Sequence, residues 1–236
     1  MSKHILAGSA GFMANQGIPT LGPVIQYGLE LTKQAIPRLC YLGTACGDVP
    51  AGAANFYTAC QNHQVIPGHL ALFPMPNTHN VKDFLLAQHM IWVGGGSVAN
   101  LLAVWRTHGL DEILREAWEK GIVLGGISAG SICWHTGGTT DSFGVELRAV
   151  TNGLGFVPYS NGVHYDSEER RRPLFQKLIN DGILPEGYAT DDGVALHYVD
   201  RNLHKVVSDT PGKYAYQVVK TESGVQESRI EAELLQ

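Results

Sequence analysis

Four short apolar runs, each closed by a glycine, constrain this chain more than any other feature. They are Ile5-Leu6-Ala7-Gly8, Leu39-Cys40-Tyr41-Leu42-Gly43, Met90-Ile91-Trp92-Val93-Gly94 and Ile122-Val123-Leu124-Gly125. A strand without polar alternation has both faces covered, which is the condition of a parallel sheet held between helices. Helical patterning fills the intervening segments 24–33, 51–63, 98–107 and 111–120, the last with Ile113, Leu114 and Trp118 near helical spacing. In the C-terminal third, segments 194–199 and 204–207 flank Asp200-Arg201-Asn202 as the arms of a hairpin do, and 214–219 adds a further strand. The expected architecture is α/β, with a mostly parallel central sheet and antiparallel strands appended to its edge.

At 236 residues, 44% of them apolar and 17% charged, the chain has material for one large core. No linker or repeat divides it, so one α/β domain over residues 1–236 is expected. A net charge of −5, with Arg170-Arg171-Arg172 as one local basic run, argues against a nucleic-acid footprint and for a small molecule or peptide as partner. No segment has the apolar length of a membrane span, and the N-terminus lacks a secretory apolar region, so a cytoplasmic location is expected. A homodimer stays open. The four cysteines, Cys40, Cys46, Cys60 and Cys133, show no C-x-x-C spacing and signal neither a zinc site nor a disulfide framework. Neither metal nor cofactor is expected.

The run Gly126-Ile127-Ser128-Ala129-Gly130 places a serine between small residues where an apolar strand gives way to a helix. This is the pattern of a nucleophile elbow, although a glycine-rich turn with Ser128 as a helix cap fits the same residues. A serine hydroxyl needs a base to take its proton and a third group to orient that base. Among ten histidines, His164 stands out, in Asn161-Gly162-Val163-His164-Tyr165-Asp166 after the glycine-rich segment 152–156. His135 lies about two helical turns from Ser128, too far to serve it. For the orienting acid, Asp141 and the pair Asp191-Asp192 are the candidates, each also explicable as a turn former. Gly94-Gly95-Gly96-Ser97 ends one strand and opens a helix, where unobstructed amides can hold an oxyanion, with the amide of Ala129 as second donor. The triple glycine lacks the spacing of a dinucleotide fingerprint.

Taken in order, Ile91 to Ser97, Gly126 to Gly130, Thr139-Thr140-Asp141-Ser142 and His164-Tyr165 resemble peptidase family S51, the family of peptidase E and cyanophycinase. The resemblance covers most of residues 90–200. It implies a three-layer sandwich like that of class I glutamine amidotransferases, a flavodoxin-like arrangement, and a serine peptidase working through an acyl-enzyme without a metal. Carried over, Ser128 is the nucleophile, His164 the base, and Gly96 and Ala129 the oxyanion donors. The family's acid is a glutamate on the loop matching Ala189 to Gly193; here Asp192 stands there, one methylene shorter, with Asp141 as the alternative. Peptidase E cleaves Asp-Xaa dipeptides, which requires a cation for the substrate carboxylate. Arg170 is the expected source, with Arg171 and Arg172 beside it, though arginines here can equally pair with Glu168 and Glu169. Two other functions fit parts of the sequence. One is an α/β-hydrolase esterase, which would recruit Asp166 or Asp181 and then His197 or His204. The other is a non-catalytic small-molecule binding protein that keeps the elbow as scaffold.

Overall fold

The computed structural model describes residues 2–236. Its larger sheet has eight strands in the order Glu233–Leu234, Asn202–Ser208, Val194–Val199, His4–Gly8, Val123–Ile127, Met90–Val93, Arg38–Leu42 and Ile66–Leu70. The strands from His4–Gly8 to Ile66–Leu70 run parallel, and the hairpin Val194–Val199 with Asn202–Ser208 joins antiparallel to His4–Gly8. The expected parallel core and antiparallel edge are both present.

Alternation along these strands sends successive side chains to opposite faces. Ile5, Ala7, Ile91, Val93 and Leu124 pack with Leu101, Trp105, Leu114 and Trp118 of the helices Val98–Thr107 and Leu110–Glu119. Leu6, Met90, Trp92 and Val123 pack on the other face with Val24, Ile25 and Phe56 of the helices Pro23–Leu31 and Pro50–Cys60. The unbroken apolar runs are thus accounted for by two helical layers. No helix among the described residues is long and apolar enough to cross a membrane.

One expectation needs correction. The strand Tyr214–Thr221 does not extend the antiparallel edge of the main sheet but belongs to a second sheet of six strands, ordered Gly224–Glu231, Tyr214–Thr221, Gly187–Thr190, Ser160–Gly162, Gly137–Thr140 and Arg148–Val150. Its three central strands are parallel to one another. The helix Arg171–Asn180 covers this sheet, burying Phe175, Leu178 and Ile179 against Ala189 and Val218. A buried hydrogen bond of 2.7 Å from Ser131 Oγ to Asn161 Oδ1 ties the turn after Ser128 to the second sheet.

Candidate active site

The chemistry-bearing residues collect where the carboxyl ends of both sets of parallel strands meet, the position at which open α/β sheets bind ligands. From the main sheet come Ser9 after His4–Gly8, Ser128 after Val123–Ile127 and the glycines after Met90–Val93. The second sheet contributes Asp141 after Gly137–Thr140, His164 after Ser160–Gly162 and Asp192 after Gly187–Thr190. A larger cavity of about 660 Å³, lined by His4, Lys33, His89 and Lys120, opens at the amino ends of the main-sheet strands, away from these groups.

Ser128 has φ 56 and ψ −114 and caps the short helix Ala129–Ile132 without a side-chain hydrogen bond. Its amide is held by Gly8 O at 2.9 Å. A serine in this backbone region is strained, and strain of this kind is sustained only where surrounding structure imposes it. That surrounding structure is close packing. A Cβ on Gly130 would lie 2.3 Å from Val93 O, and one on Gly126 would lie 2.3 Å from Gly130 O, so glycine at both positions lets the helix press onto the strand. The glycine-rich loop lies directly against the serine, since a Cβ on Gly95 would be 3.2 Å from Ser128 Cβ. Gly96 has φ +131 and its missing Cβ would fall 2.5 Å from Ala45 O, so this amide orientation is open to glycine alone. Among the described residues, the amides of Gly96 and Ala129 donate to no backbone carbonyl.

His164 also has positive φ, at 53. Its Nδ1 lies 2.6 Å from Asp192 Oδ1. An ionised carboxylate can only accept, so Nδ1 carries the proton and Nε2 is left as the acceptor. Asp192 is held in turn, its amide donating to Asp166 Oδ1 at 2.9 Å while Asp166 pairs with Lys213. Among the described residues, Ser128 Oγ makes no hydrogen bond to His164. A cavity of about 290 Å³ beside Ser128 is lined by Gly96, Ser97, Asp141, Ser142, Glu168 and Arg171.

Of the two candidate acids, Asp192 meets His164 and Asp141 does not; Asp141 Oδ1 lies 4.0 Å from Arg171 Nη2. Arg170 does not line the cavity and donates to Val145 O at 3.2 Å. Arg171 is the arginine that lines the cavity. The residues required by an α/β-hydrolase order do not assemble. His197 is buried between Tyr27 and His4, Asp181 pairs with Lys177 and Asp166 with Lys213. Ser9 was missed in the sequence, yet Gly8-Ser9-Ala10-Gly11 has the same small-residue signature at a strand end as the elbow. Among the described residues, no group of three or more His, Cys, Asp or Glu side chains is arranged to hold a metal ion.

The model of the family described as Peptidase family S51 matches residues 5–206. The chain belongs to peptidase family S51. A relative from Bacillus subtilis (strain 168), named an uncharacterized peptidase YgaJ, is 42% identical over 227 residues, covering 96% of each chain. The fold is also matched among solved structures. A peptidase from an acI-B1 Actinobacterium superposes with TM-score 0.71 at 15% identity over 98% of this chain and 95% of that one. A putative peptidase E protein from Listeria monocytogenes EGD-e gives TM-score 0.59 at 16% identity, over 98% of this chain and 100% of that one. At such identities the likeness speaks for the fold and not for a substrate.

Proposed function

We propose that this S51 peptidase is a serine hydrolase of short peptides, with Ser128 as nucleophile, His164 as general base and Asp192 as the residue that orients the imidazole. The observation that carries the reading is the 2.6 Å contact between His164 Nδ1 and Asp192 Oδ1, which leaves Nε2 as the proton acceptor. Ser128 Oγ attacks the scissile carbonyl while its proton passes to His164 Nε2. The resulting oxyanion is held by the amides of Gly96 and Ala129, neither of which has a backbone acceptor to give up. Collapse returns the proton to the leaving amine, and water repeats the cycle on the acyl-enzyme. Catalytic hydrogen bonds that are loose in a free enzyme tighten around substrate, so an unmade bond between Ser128 and His164 is compatible with this role. A cavity of about 290 Å³ favours a short peptide over a folded protein.

Hydrolysis of a dipeptide panel, followed by release of free amino acids, tests the reading. The wild-type chain is expected to cleave at least one dipeptide, and Ser128→Ala to lower kcat by about 10⁴-fold or more. Undiminished hydrolysis by Ser128→Ala would remove the serine mechanism.

A further inference from the structure

Arg171 is the cation of the cavity beside Ser128, and its charge is already committed. Its side chain is 3% exposed. Nε donates to Glu168 Oε2 at 2.7 Å, Nη2 to Glu168 Oε1 at 3.3 Å, and Nη1 to Thr139 O at 2.8 Å. This is a two-point pairing of guanidinium with carboxylate, the geometry in which arginine binds an acid most strongly. The place a substrate carboxylate would take is therefore filled by Glu168. Asp141 Oδ1 approaches the same guanidinium at 4.0 Å, so two carboxylates face one guanidinium in the lining of the cavity. Neighbouring cations are engaged elsewhere: Arg170 with Val145 O, Arg172 with Glu227, and Lys213 with Asp166. Glu168 is also fixed relative to the histidine, its amide donating to His164 O at 3.1 Å.

We propose that Glu168 is the specificity-determining residue of this site: by saturating Arg171 it leaves the cavity with surplus negative charge, so peptides with an uncharged or basic first residue are accepted and those beginning with Asp or Glu are refused. This rests on Ser128 being the nucleophile of the site. An acidic first residue could reach Arg171 only by displacing Glu168, which would then stand unpaired beside Asp141 and the incoming carboxylate. The like-charge cost is what rejects it. A substrate's positively charged α-ammonium, by contrast, meets Glu168 and Asp141 with favourable sign.

The test is binding of Lys-Ala, Ala-Ala and Asp-Ala to the Ser128→Ala protein by calorimetry near neutral pH, beside hydrolysis of the same dipeptides by the wild-type chain. Lys-Ala and Ala-Ala are expected to bind about tenfold or more tightly than Asp-Ala. Adding Glu168→Gln, which keeps the shape but removes the charge, frees Arg171. Asp-Ala should then gain about tenfold in affinity while Lys-Ala loses it. Equal or tighter binding of Asp-Ala to Ser128→Ala, absence of binding by every dipeptide, or an order unchanged by Glu168→Gln overturns the proposal. Hydrolysis separates the two claims. Preferred cleavage of Asp-Ala by the wild-type chain defeats the specificity assignment and leaves the peptidase standing. The predicted binding order without any hydrolysis defeats the peptidase reading and leaves the charge assignment standing.

Discussion

Ser9 Oγ accepts the amide proton of His164 at 2.9 Å, and by this bond the first strand of the main sheet fixes the histidine delivered by the second. The same hydroxyl lies 2.9 Å from Thr190 Oγ1, and Ser9 O accepts from the amide of Gly193 at 3.0 Å. Ser9 thus grips the backbone on both sides of the pair His164 and Asp192. Removing its hydroxyl leaves the amide of a residue with positive φ without its partner. Ser9→Ala is expected to cost about 1–3 kcal/mol of stability. Because the fault lies in the placing of His164, kcat should fall more than KM rises. Denaturant titration and steady-state kinetics of the variant check both; an unchanged kcat would detach Ser9 from the site.

Asp192 and Asp141 should behave differently. Asp192→Asn replaces a carboxylate that can only accept from His164 Nδ1–H with a neutral amide that can also donate to Nδ1, and so invites the wrong tautomer, with a loss in kcat of up to about 10⁴-fold. Asp141→Asn touches Arg171 and not the imidazole, so its effect should fall on KM, with the pH profile of kcat retained. Paired kinetics on the two variants decide between the acids.

Gly96→Ala combines a disfavoured backbone conformation with contact against Ala45 O. The loop must shift and carry its amide away from the oxyanion position proposed for it. Loss of one such donor typically lowers kcat by about 10²–10³-fold. Unimpaired turnover by a folded Gly96→Ala protein would take Gly96 out of the oxyanion role.

Acid should weaken the fold before the carboxylates titrate. Burial lowers His135 from 6.5 to about 4, and burial with neighbouring cationic groups lowers His197 to about 3. The folded state therefore keeps both rings neutral while the unfolded chain takes up protons near pH 6.5. Stability supported by these rings is fully present above that pH and drains as pH falls towards 4, because the unfolded state then binds more protons. Each ring contributes a slope of about 1.4 kcal/mol per pH unit inside its window. His135 donates through Nδ1 to Ser131 O and accepts at Nε2 from the Tyr198 hydroxyl, an arrangement that requires the neutral form. His135→Gln should lower stability at pH 8 but reduce the dependence between pH 6.5 and 4.5 by about one proton. Chemical denaturation at several pH values measures both effects, and a slope identical to wild type would contradict the assignment.

What could be read from the sequence follows from where each signal resides. Four parallel strands of the main sheet and its antiparallel hairpin were legible, because those parallel strands are apolar on both faces and the helices between them carry their own periodicity; the edge strand Ile66–Leu70, which holds Pro67, Gly68 and His69 and is only partly buried, was not. Ser128 and the triple glycine were legible because strand, turn and helix adjoin in the chain. The second sheet was not. Gly137–Thr140, Ser160–Gly162 and Arg148–Val150 are three or four residues long and rich in glycine, serine or polar residues, so they are strands only through the neighbours they pair with. The choice between Asp141 and Asp192 depended on which strand of that sheet ends nearest His164, a relation between distant segments. The choice among the three arginines was within reach. Arg171 shares one helical face with Phe175, Leu178 and Ile179, all buried, whereas Arg170 precedes the helix and is exposed. An arginine on an apolar stripe marks a paired, inward-facing cation.

The central claim is that Ser128 is a nucleophile activated by His164, and covalent labelling with a fluorophosphonate tests it most directly. Intact-mass measurement with peptide mapping should find one adduct, on Ser128, with the rate of labelling sharply reduced in His164→Ala. No adduct on Ser128 in the folded wild-type chain, under conditions that label a known serine hydrolase, would contradict it, as would labelling that proceeds equally well without His164.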